Sequence, residues 1–360
     1  MLTENYNVIG IMSGTSLDGI DLAHISFQKS DERWRFSIHE CETSGYSESW
    51  VGRLKAAINF SSKQLEELNF EYTALLSDSI NNFIEGNNLT DLDAVCSHGH
   101  TILHQPEKGY TLQIGNLPEI ARRINKTVVC DFRLGDVELG GQGAPLVPIG
   151  DRLLFSDYDY CLNLGGFSNV SFEENKKRIA FDISAVNTVL NFYVNQIGLD
   201  YDDKGRLARG GKIDDQLLQS LNFLEYYSKP YPKSLGFEFV RDRLIPLIDQ
   251  FEIPIEDKLR TFTEHVAIQI AAALPLKKGT ILVTGGGAYN DFLMDCLRHH
   301  LPEMDVVIPD KKVLEYKEAL IFALLGVLKL REEVNVLSSV TGAISDHSSG
   351  KIYYPINNNV

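Results

Sequence analysis

The sequence predicts an α/β protein built from two related domains, and three observations support this prediction. Strand-like apolar runs alternate with helix-like amphipathic segments, which is typical of α/β domains. A strand–turn–strand pattern rich in small residues occurs at 8–27 and returns in outline at 160–172. The chain of 360 residues is also long enough for two domains with separate cores.

Composition and charge restrict the kind of partner. Hydrophobic residues make up 44% and charged residues 23%, as in soluble globular proteins. A net charge of −15 argues against nucleic acid or an anionic membrane surface as the main partner. The five cysteines form no CxxC pair, which favours reduced core thiols over disulfides or zinc ligands. With no leader-like segment and no apolar run of membrane-spanning length, we expect a cytoplasmic protein.

The first half of the chain alternates strands with one long helix. The predicted strands cover 8–12, 22–27, 34–41, 94–97, 111–114 and 127–132. Apolar spacing from Leu65 to Ile84 predicts the helix, and Ser61 and Gln64 have the spacing of a capping box at its start. A short helix is expected at 118–125, between the last two strands.

The second half is mostly helical. A Gly-rich passage at 140–148 has the composition of a hinge or an active-site loop. Beyond the repeated hairpin at 160–172, a strand is expected at 280–283, and helices are expected at 187–197, 214–224, 261–274, from about 290, and 316–330. We place the first domain at 1–155, with about 345–360 added, and the second at 156–344.

The richest concentration of candidate functional residues follows the first strand. Its small and hydroxyl-bearing residues are Ser13, Gly14, Thr15, Ser16 and Gly19. Such residues let backbone N–H groups and hydroxyls approach an anion closely. Asp18 and Asp21 are then suited to hold a metal ion or to orient a nucleophile beside that anion. The alternative is an ordinary Gly/Asp hairpin.

Two further glycine turns have the composition of nucleotide contacts. Gly285-Gly286-Gly287 follows a β-branched strand and precedes a helix near Asn290, where a backbone can approach a base or phosphate. The motif is not GxGxxG, and a tight strand-to-helix turn is an equal alternative. The same two interpretations apply to the turn that contains Gly165, Gly166, Ser168 and Asn169.

Two carboxylates lie in apolar surroundings. Asp182 ends an apolar run just before a helix, where a partly desolvated aspartate serves as a general base or, alternatively, as a helix N-cap. Glu318 begins an apolar helix, where a carboxylate is costly unless it meets solvent or a ligand.

A histidine-rich strand and an arginine complete the candidates. The spacing of His98, His100 and His104 raises the question of zinc, but no nearby cysteine or carboxylate completes a ligand set, so hydrogen bonding to a polar substrate is favoured. Arg133 ends a strand, where it binds an anion or pairs with Asp131 or Asp136.

Taken together, these segments closely resemble the anhydro-N-acetylmuramic acid kinases of bacterial cell-wall recycling. The matches run in order nearly to the end of the chain, and the combination is far more specific than any one of them. The matching segments are Gly10–Asp21, Ser97–Thr101, His104–Pro106, Thr111–Gly115, Asp131–Arg133, Gly140–Pro148, Leu162–Val170, Pro232–Gly236, Gly285–Asn290, Glu318–Leu320 and Ser339–Ala343.

This resemblance implies a fold and a reaction. The family belongs to the superfamily of actin, sugar kinases and heat-shock ATPases, so it implies two ribonuclease-H-like domains with a nucleotide cleft between them. ATP and Mg²⁺ are the implied cofactors, and a homodimer is what the family suggests. The implied reaction hydrolyses the 1,6-anhydro bridge of anhydro-N-acetylmuramic acid and moves the γ-phosphoryl group of ATP to the 6-oxygen, giving N-acetylmuramic acid 6-phosphate.

The resemblance also implies roles for individual residues. Asp182 matches the catalytic base, and Asp18 is the implied metal ligand. The implied nucleotide-binding residues are Gly14, Thr15, Ser16, Leu17, Asp18, Gly19, Ile20, Asp21, Gly165, Gly166, Ser168, Asn169, Gly285, Gly286, Gly287 and Asn290. The implied sugar-binding residues are His98, His100, Thr101, Arg133, Gln142, Asn187 and Glu318.

Two departures from the family pattern concern the sugar side. Asp182-Ile-Ser-Ala-Val-Asn187 stands where the family has Asp-Thr-Gly-Pro-Gly-Asn, and His100 replaces a glutamine. Two other functions therefore remain as alternatives. One is a different sugar kinase of the same superfamily, in which Asp182 deprotonates a hydroxyl already present. The other is a non-catalytic nucleotide- or muropeptide-sensing protein.

Overall fold

The computed structural model describes residues 4–14, 16–31 and 33–355, and the chain divides into two compact units. The first unit comprises 1–154 and 316–360, and the second comprises 155–315. Their strands are β1 (Asn5–Ser13), β2 (Ile20–Ser30), β3 (Arg33–Ser44), β4 (Ala94–Gln105), β5 (Tyr110–Ile114), β6 (Val128–Cys130), β7 (Tyr160–Leu164), β8 (Phe167–Glu174), β9 (Lys177–Ala185), β10 (Lys278–Thr284), β11 (Glu303–Val307) and β12 (Lys351–Tyr353).

Helices flank both groups of strands. They are α1 (Glu48–Ala56), α2 (Ser62–Gly86), α3 (Glu119–Ile124), α4 (Leu134–Glu138), α5 (Val147–Leu154), α6 (Asn187–Asn195), α7 (Arg206–Gly210), α8 (Asp215–Asn222), α9 (Glu225–Ser228), α10 (Phe237–Phe239), α11 (Ile245–Ile248), α12 (Ile255–Ala273), α13 (Asp291–His300), α14 (Lys311–Leu330) and α15 (Ser338–Thr341). Within the ranges given above, no helix is both long enough and apolar enough to span a membrane.

The two units share a five-stranded sheet topology, to which the first unit adds β5 and β12. In the first, β1, β2 and β3 form an antiparallel meander, and β4 and β6 continue the sheet on the other side of β1 in parallel. In the second, β7, β8 and β9 form the meander, and β10 and β11 continue it in parallel. This shared strand order is the ribonuclease-H-like arrangement, so the predicted fold class and the internal repeat are both confirmed.

Opposite faces of the first sheet are covered by different helices. Ile9 and Ile11 of β1 belong to the buried cluster that includes Tyr72 and Leu76 of α2. Gly10, between them, points to the other face, where a Cβ atom would collide with the carbonyl of Ala319 in α14. The alternation of side chains along β1 therefore sets α2 on one face and α14 on the other.

The second unit has its own buried core. Residues of strands β7, β9 and β10 and of helices α6, α12 and α13 share one apolar cluster, represented by Leu162, Ile183, Val283, Leu190, Val266 and Leu293. The loop segment at 229–236 lies against β9, since the amide of Asp182 donates to the carbonyl of Lys233. This contact fixes the segment beside a predicted functional residue.

The chain returns to the first unit earlier than the sequence-based boundary. Residues 316–344 lie in the first unit, whereas the sequence analysis assigns them to the second domain. Within the first unit, Lys317 of α14 forms a buried ion pair with Asp151 of α5, with 2.7 Å between Nζ and Oδ1. The hydroxyl of Thr341 donates to Oδ1 of Asp136 over 2.7 Å. These contacts hold 316–344 against the first unit, and the apolar periodicity of a helix cannot reveal which unit it packs on.

Most predicted elements form, although some ends shift: β4 continues beyond its predicted end at 97 to Gln105, and α12 begins at Ile255 rather than at 261. The capping box at the start of α2 is confirmed, because the Ser61 amide donates to Gln64 Oε1 and the Gln64 amide donates to Ser61 Oγ.

The sequence analysis missed the helices α1, α4, α5, α7, α9, α10, α11 and α15 and the strands β9, β11 and β12. In β9 it recognised the apolar run but not the strand, which continues past Asp182 to Ala185. The strand stays paired with β8, with a shift in register between Asp182 and Ser184.

Candidate active site

The first glycine turn connects β1 to β2. Its Leu17 amide donates to the Gly14 carbonyl, and Leu17 adopts a left-handed conformation with φ of +64°. A non-glycine residue in this region stores backbone strain, a feature that clusters at functional sites. Asp18 is exposed in the turn, and Asp21 accepts a hydrogen bond of 2.6 Å from Thr43 Oγ1.

The other predicted residues of this turn differ in accessibility. Ser16 is exposed, whereas Gly19 and Ile20 are buried at the start of β2. Thr15 lies outside the described residues.

A bulge in β4 separates the two predicted sugar-binding histidines. The pairing of β1 with β4 shifts between Ile11 and Ser13, next to Gly99, whose φ is +73°. His98 therefore packs against Phe322 of α14, with ring centroids 4.5 Å apart. His100 packs against Tyr72 of α2, on the other face of the sheet. Both histidines are buried.

His98 orients Arg133. The His98 Nδ1–H group donates to the Gly99 carbonyl over 2.9 Å, which leaves Nε2 as an acceptor for Arg133 Nε–H at 2.8 Å. Burial and the neighbouring guanidinium hold the pKa of His98 well below its usual range, so the ring is neutral, as this geometry requires. Arg133 Nη1 also donates to the Gly143 carbonyl over 2.7 Å.

One of the alternatives for Arg133, pairing with Asp131 or Asp136, can be compared directly with the hydrogen bonds of these residues. Asp131 pairs with Lys351, with 2.9 Å between Oδ2 and Nζ. Asp136 accepts the Gly143 amide over 2.6 Å and so holds the Gly-rich loop. Neither aspartate is therefore the hydrogen-bonding partner of the guanidinium, which His98 and Gly143 hold.

Glu318 lies in the same electrostatic environment. Its side chain reaches solvent, but the protein atoms crowded around it raise the pKa of its carboxyl by desolvation, and Asp21 adds to this effect. The positive charge of Arg133 opposes this rise in the pKa of Glu318. Desolvation also lowers the pKa of Arg133 itself to about 10, although the negative charges of Glu318 and Asp136 act in the opposite direction. The charges of Arg133, Glu318 and Asp21, all in the first unit, therefore influence one another.

The two remaining predicted sugar-binding residues of the first unit are Gln142 and Thr101. Gln142 has an exposed side chain, while its amide donates to the Thr341 carbonyl over 2.8 Å. The hydroxyl of Thr101 accepts from Gln113 Nε2 at 3.3 Å.

The second glycine turn joins β7 to β8 and also supports α6. The Gly166 carbonyl accepts from the Val186 amide at 2.8 Å and from Thr188 Oγ1 at 2.9 Å. Asn169 is exposed. Ser168 is buried, and its hydroxyl both accepts from and donates to the Ser184 backbone, at 3.1 Å each. Ser168 therefore ties β8 to β9.

Asp182 lies within β9 and is half-buried. Its Oδ2 accepts the Leu235 amide over 2.9 Å, and its carbonyl accepts Tyr226 OH over 2.6 Å. Desolvation raises the pKa of the carboxyl, against the opposing effect of the Leu235 hydrogen bond. The N-cap interpretation fails, because α6 has Val186 as its N-cap with no side-chain cap hydrogen bond.

The third glycine turn is shaped by close backbone approach. Gly285 has φ of +84°, and a Cβ atom there would lie 2.8 Å from the Leu164 carbonyl oxygen. Gly286 is exposed, and Gly287 is buried. Asn290 caps α13, its Oδ1 accepting the Leu293 amide over 2.9 Å.

Asn187, the remaining predicted sugar-binding residue, lies in the second unit. A Cβ atom on Gly286 would lie 3.9 Å from Asn187 Nδ2, so this half-buried side chain lies beside the third glycine turn.

Sequence reasoning missed the residues that hold Asp182. Pro232–Gly236 is one of the quoted family matches, yet no role was assigned to it, and Leu235 contributes through its backbone amide. A backbone donor leaves no signature in side-chain chemistry. Tyr226 gave no signal beyond its residue type.

The two ribonuclease-H-like units define the fold class, and the family match defines the class of protein, an ATP-dependent sugar kinase. The chain belongs to the anhydro-N-acetylmuramic acid kinase family, since the model described as "Anhydro-N-acetylmuramic acid kinase" matches residues 6–355. A relative of that name from Mannheimia succiniciproducens is 34% identical, with 98% of this chain and 100% of the relative covered. Another from Francisella tularensis subsp. novicida is 33% identical, with the same coverage.

A solved structure is also similar to this chain. Component A of (R)-2-hydroxyglutaryl-CoA dehydratase from Acidaminococcus fermentans is 15% identical with a TM-score of 0.44, and the match covers 91% of this chain and 99% of that one.

Proposed function

We propose that this chain opens the 1,6-anhydro bridge of anhydro-N-acetylmuramic acid and phosphorylates the released 6-oxygen with ATP. The observation that carries this proposal is the Asp182 carboxylate, which is half-buried, has a raised pKa and is held through Oδ2 alone by the Leu235 amide. Such a group is oriented, and its raised pKa makes it a stronger base toward water than an ordinary aspartate.

In the proposed reaction, Asp182 deprotonates a water that attacks the anomeric carbon. The bond from that carbon to the 6-oxygen breaks, as in inverting glycoside hydrolysis. The 6-oxygen attacks the γ-phosphorus, ADP leaves, and the proton taken by Asp182 returns to solvent. One carboxylate thus serves both events, because the oxygen that leaves the anomeric carbon is the nucleophile toward phosphorus.

Arg133 is our candidate for binding the acidic sugar. His98 Nε2 and the Gly143 carbonyl take two of its N–H groups, and these contacts fix the plane of the guanidinium. The Nη2 hydrogens are then oriented to pair with a carboxylate, and muramic acid carries one. Glu318 is our candidate for accepting hydrogen bonds from sugar hydroxyls, and His98 acts by positioning Arg133.

The three glycine turns are our candidates for contacts with ATP. The first, with its small and hydroxyl-bearing residues, is our candidate for binding the phosphates. Exposed Asp18, together with the nucleotide phosphates, fits the sparse protein ligation that Mg²⁺ prefers, and among the described residues no group of three metal-binding side chains offers a full cage. When bound, Mg²⁺ neutralises charge on the transferred phosphoryl group.

The test is the reaction in ¹⁸O-labelled water with ATP and 1,6-anhydro-N-acetylmuramic acid, followed by mass spectrometry. The coupled mechanism places one label on the anomeric hydroxyl of a 6-phosphorylated product. A phosphorylated sugar with its bridge intact would instead support a plain sugar kinase. ATP binding without any phosphorylated product would support a non-catalytic sensor.

A homodimer and a cytoplasmic location remain predictions. Light scattering during size-exclusion chromatography tests the first, since it gives a mass to compare with the 40.4 kDa of one chain. Cell fractionation tests the second.

A further inference from the structure

A cluster of three hydroxyls and one imidazole lies directly behind the first glycine turn. Ser13 Oγ contacts His100 Nδ1 at 2.8 Å, Tyr46 OH at 2.6 Å and Tyr72 OH at 3.0 Å. The two tyrosine hydroxyls are 2.5 Å apart. Ser13, Tyr72 and His100 are buried, so each polar atom depends on the others for its hydrogen bonds.

Counting protons assigns the tautomer of His100. The cluster has four contacts, but the hydroxyls of Ser13, Tyr46 and Tyr72 supply only three hydrogens. If Nδ1 carries a proton, it donates to Ser13, and the hydroxyl hydrogens then run in a ring from Ser13 to Tyr46, to Tyr72 and back to Ser13. All four contacts are then satisfied, and Ser13 Oγ uses both of its lone pairs.

The cluster acts on the turn through Ser13. This residue ends β1, and the turn begins at the next residue, Gly14. The β4 bulge at Gly99 brings His100 opposite Ser13, on the face covered by α2. Burial lowers the pKa of His100 to about 4, so the ring is neutral at physiological pH and its single proton can remain on Nδ1.

We infer that His100 is a positioning residue for the first glycine turn, acting through the Nδ1–H hydrogen bond to Ser13 rather than by touching the sugar. The inference rests on the proposed function, in which this turn binds the phosphates of ATP. A glutamine at this position also offers an N–H donor, whereas a leucine fills the space without one.

The experiment compares the variants His100→Leu, His100→Gln, Ser13→Ala and the double variant Ser13→Ala/His100→Leu. The KM for ATP, the KM for the anhydro sugar and kcat are measured for each. We expect His100→Leu to raise the KM for ATP about tenfold, the scale of one lost buried hydrogen bond, with the sugar KM within about twofold of wild type. His100→Gln should stay within about threefold for ATP, and the double variant should resemble His100→Leu alone.

Three results would overturn the inference. The first is a wild-type KM for ATP in His100→Leu, and the second is a raised KM for the sugar instead of for ATP in that variant. The third is a double variant whose KM for ATP rises by the product of the two single effects.

If His100→Leu does not fold, the variants Ser13→Ala and Tyr46→Phe test the inference instead. Each removes a single oxygen from the cluster, and each should raise the KM for ATP. An unchanged value in both would overturn the inference. Failure of the proposed function is distinct, because the wild type would then show no ATP-dependent turnover.

Discussion

Arg133 donates its Nε–H to Nε2 of a histidine, His98, rather than to a carboxylate, at a distance of 2.8 Å. This contact requires a neutral imidazole with its proton on Nδ1, and the hydrogen bond to the Gly99 carbonyl selects that tautomer. The arrangement fixes the guanidinium without neutralising its charge, so the cation stays available for an anionic ligand.

Replacing Arg133 by lysine should impair sugar binding selectively. Lysine keeps the charge but cannot donate at once to His98, to Gly143 and to a carboxylate. We expect the KM for the anhydro sugar to rise by about tenfold or more, with the KM for ATP nearly unchanged, in steady-state kinetics. Arg152→Lys on helix α5 is the control, because it makes the same substitution at an arginine to which we assign no role in sugar binding. An equal rise in both KM values for Arg133→Lys would contradict the assigned role.

Asp182→Asn should abolish turnover and spare nucleotide binding. The asparagine still accepts the Leu235 amide through its carbonyl oxygen but cannot take a proton from water. Loss of a general base costs roughly 10²–10⁴-fold in rate. The measurements are kcat and the thermal shift with an ATP analogue. Near-normal sugar phosphorylation by the variant would show that Asp182 has only a structural role.

Mg-ATP should stabilise the fold, with Asp18 contributing to the effect. A ligand at 100 times its dissociation constant adds about 2.7 kcal/mol to the free energy of unfolding, which calorimetry detects as a raised melting temperature. We expect Asp18→Asn to reduce this shift when Mg²⁺ is present and to leave the melting temperature of the free protein nearly unchanged, since Asp18 is exposed. A saturating Mg-ATP analogue that leaves the wild-type melting temperature unchanged would contradict nucleotide binding.

The free energy of unfolding should fall as the pH drops below about 6.5. Burial holds the pKa of His98 well below its usual range and lowers the pKa values of His100 and His265 to about 4 and about 3. Between pH 6.5 and these lowered pKa values, the histidines of the unfolded chain bind protons, whereas the buried histidines of the folded chain stay neutral. Each such histidine therefore costs about 1.4 kcal/mol per pH unit, and the stability that its neutral form contributes is fully present above pH 6.5.

The control for this pH effect is His100→Gln, because glutamine does not titrate. Urea unfolding between pH 6 and pH 5 should show a slope smaller than that of the wild type by about 1.4 kcal/mol per pH unit. An identical slope would mean that His100 does not titrate as its burial predicts.

Gly99→Ala should destabilise the first unit. Gly99 has φ of +73°, and a Cβ atom there would lie 2.5 Å from the Ile114 carbonyl oxygen. Strain of this kind costs about 1–3 kcal/mol. Gly52→Ala is the matched control, because Gly52 lies inside helix α1 with open space around it. That substitution should stabilise the protein by about 0.5–1 kcal/mol. Chemical denaturation of both variants checks the difference.

The sequence was sufficient for features encoded in local patterns. The spacing of apolar residues and the pair Ser61 and Gln64 predicted α2 and its start, because a helix cap depends on residues three apart. The small residues after β1 and β7 predicted two matching hairpins. Ordered motifs along the chain identified the family, and the repeat predicted two related units.

The roles of the histidines, of Asp182 and of α14 depended on contacts between residues far apart in sequence. Strand alternation assigns His98 and His100 to one face, but the bulge at Gly99 sends them to opposite faces of the sheet, toward Arg133 and toward Ser13. Asp182 gains its orientation from the backbone of Leu235, 53 residues away. Side-chain periodicity records which face of an element is apolar, whereas the partner of that face is fixed only when the whole chain packs.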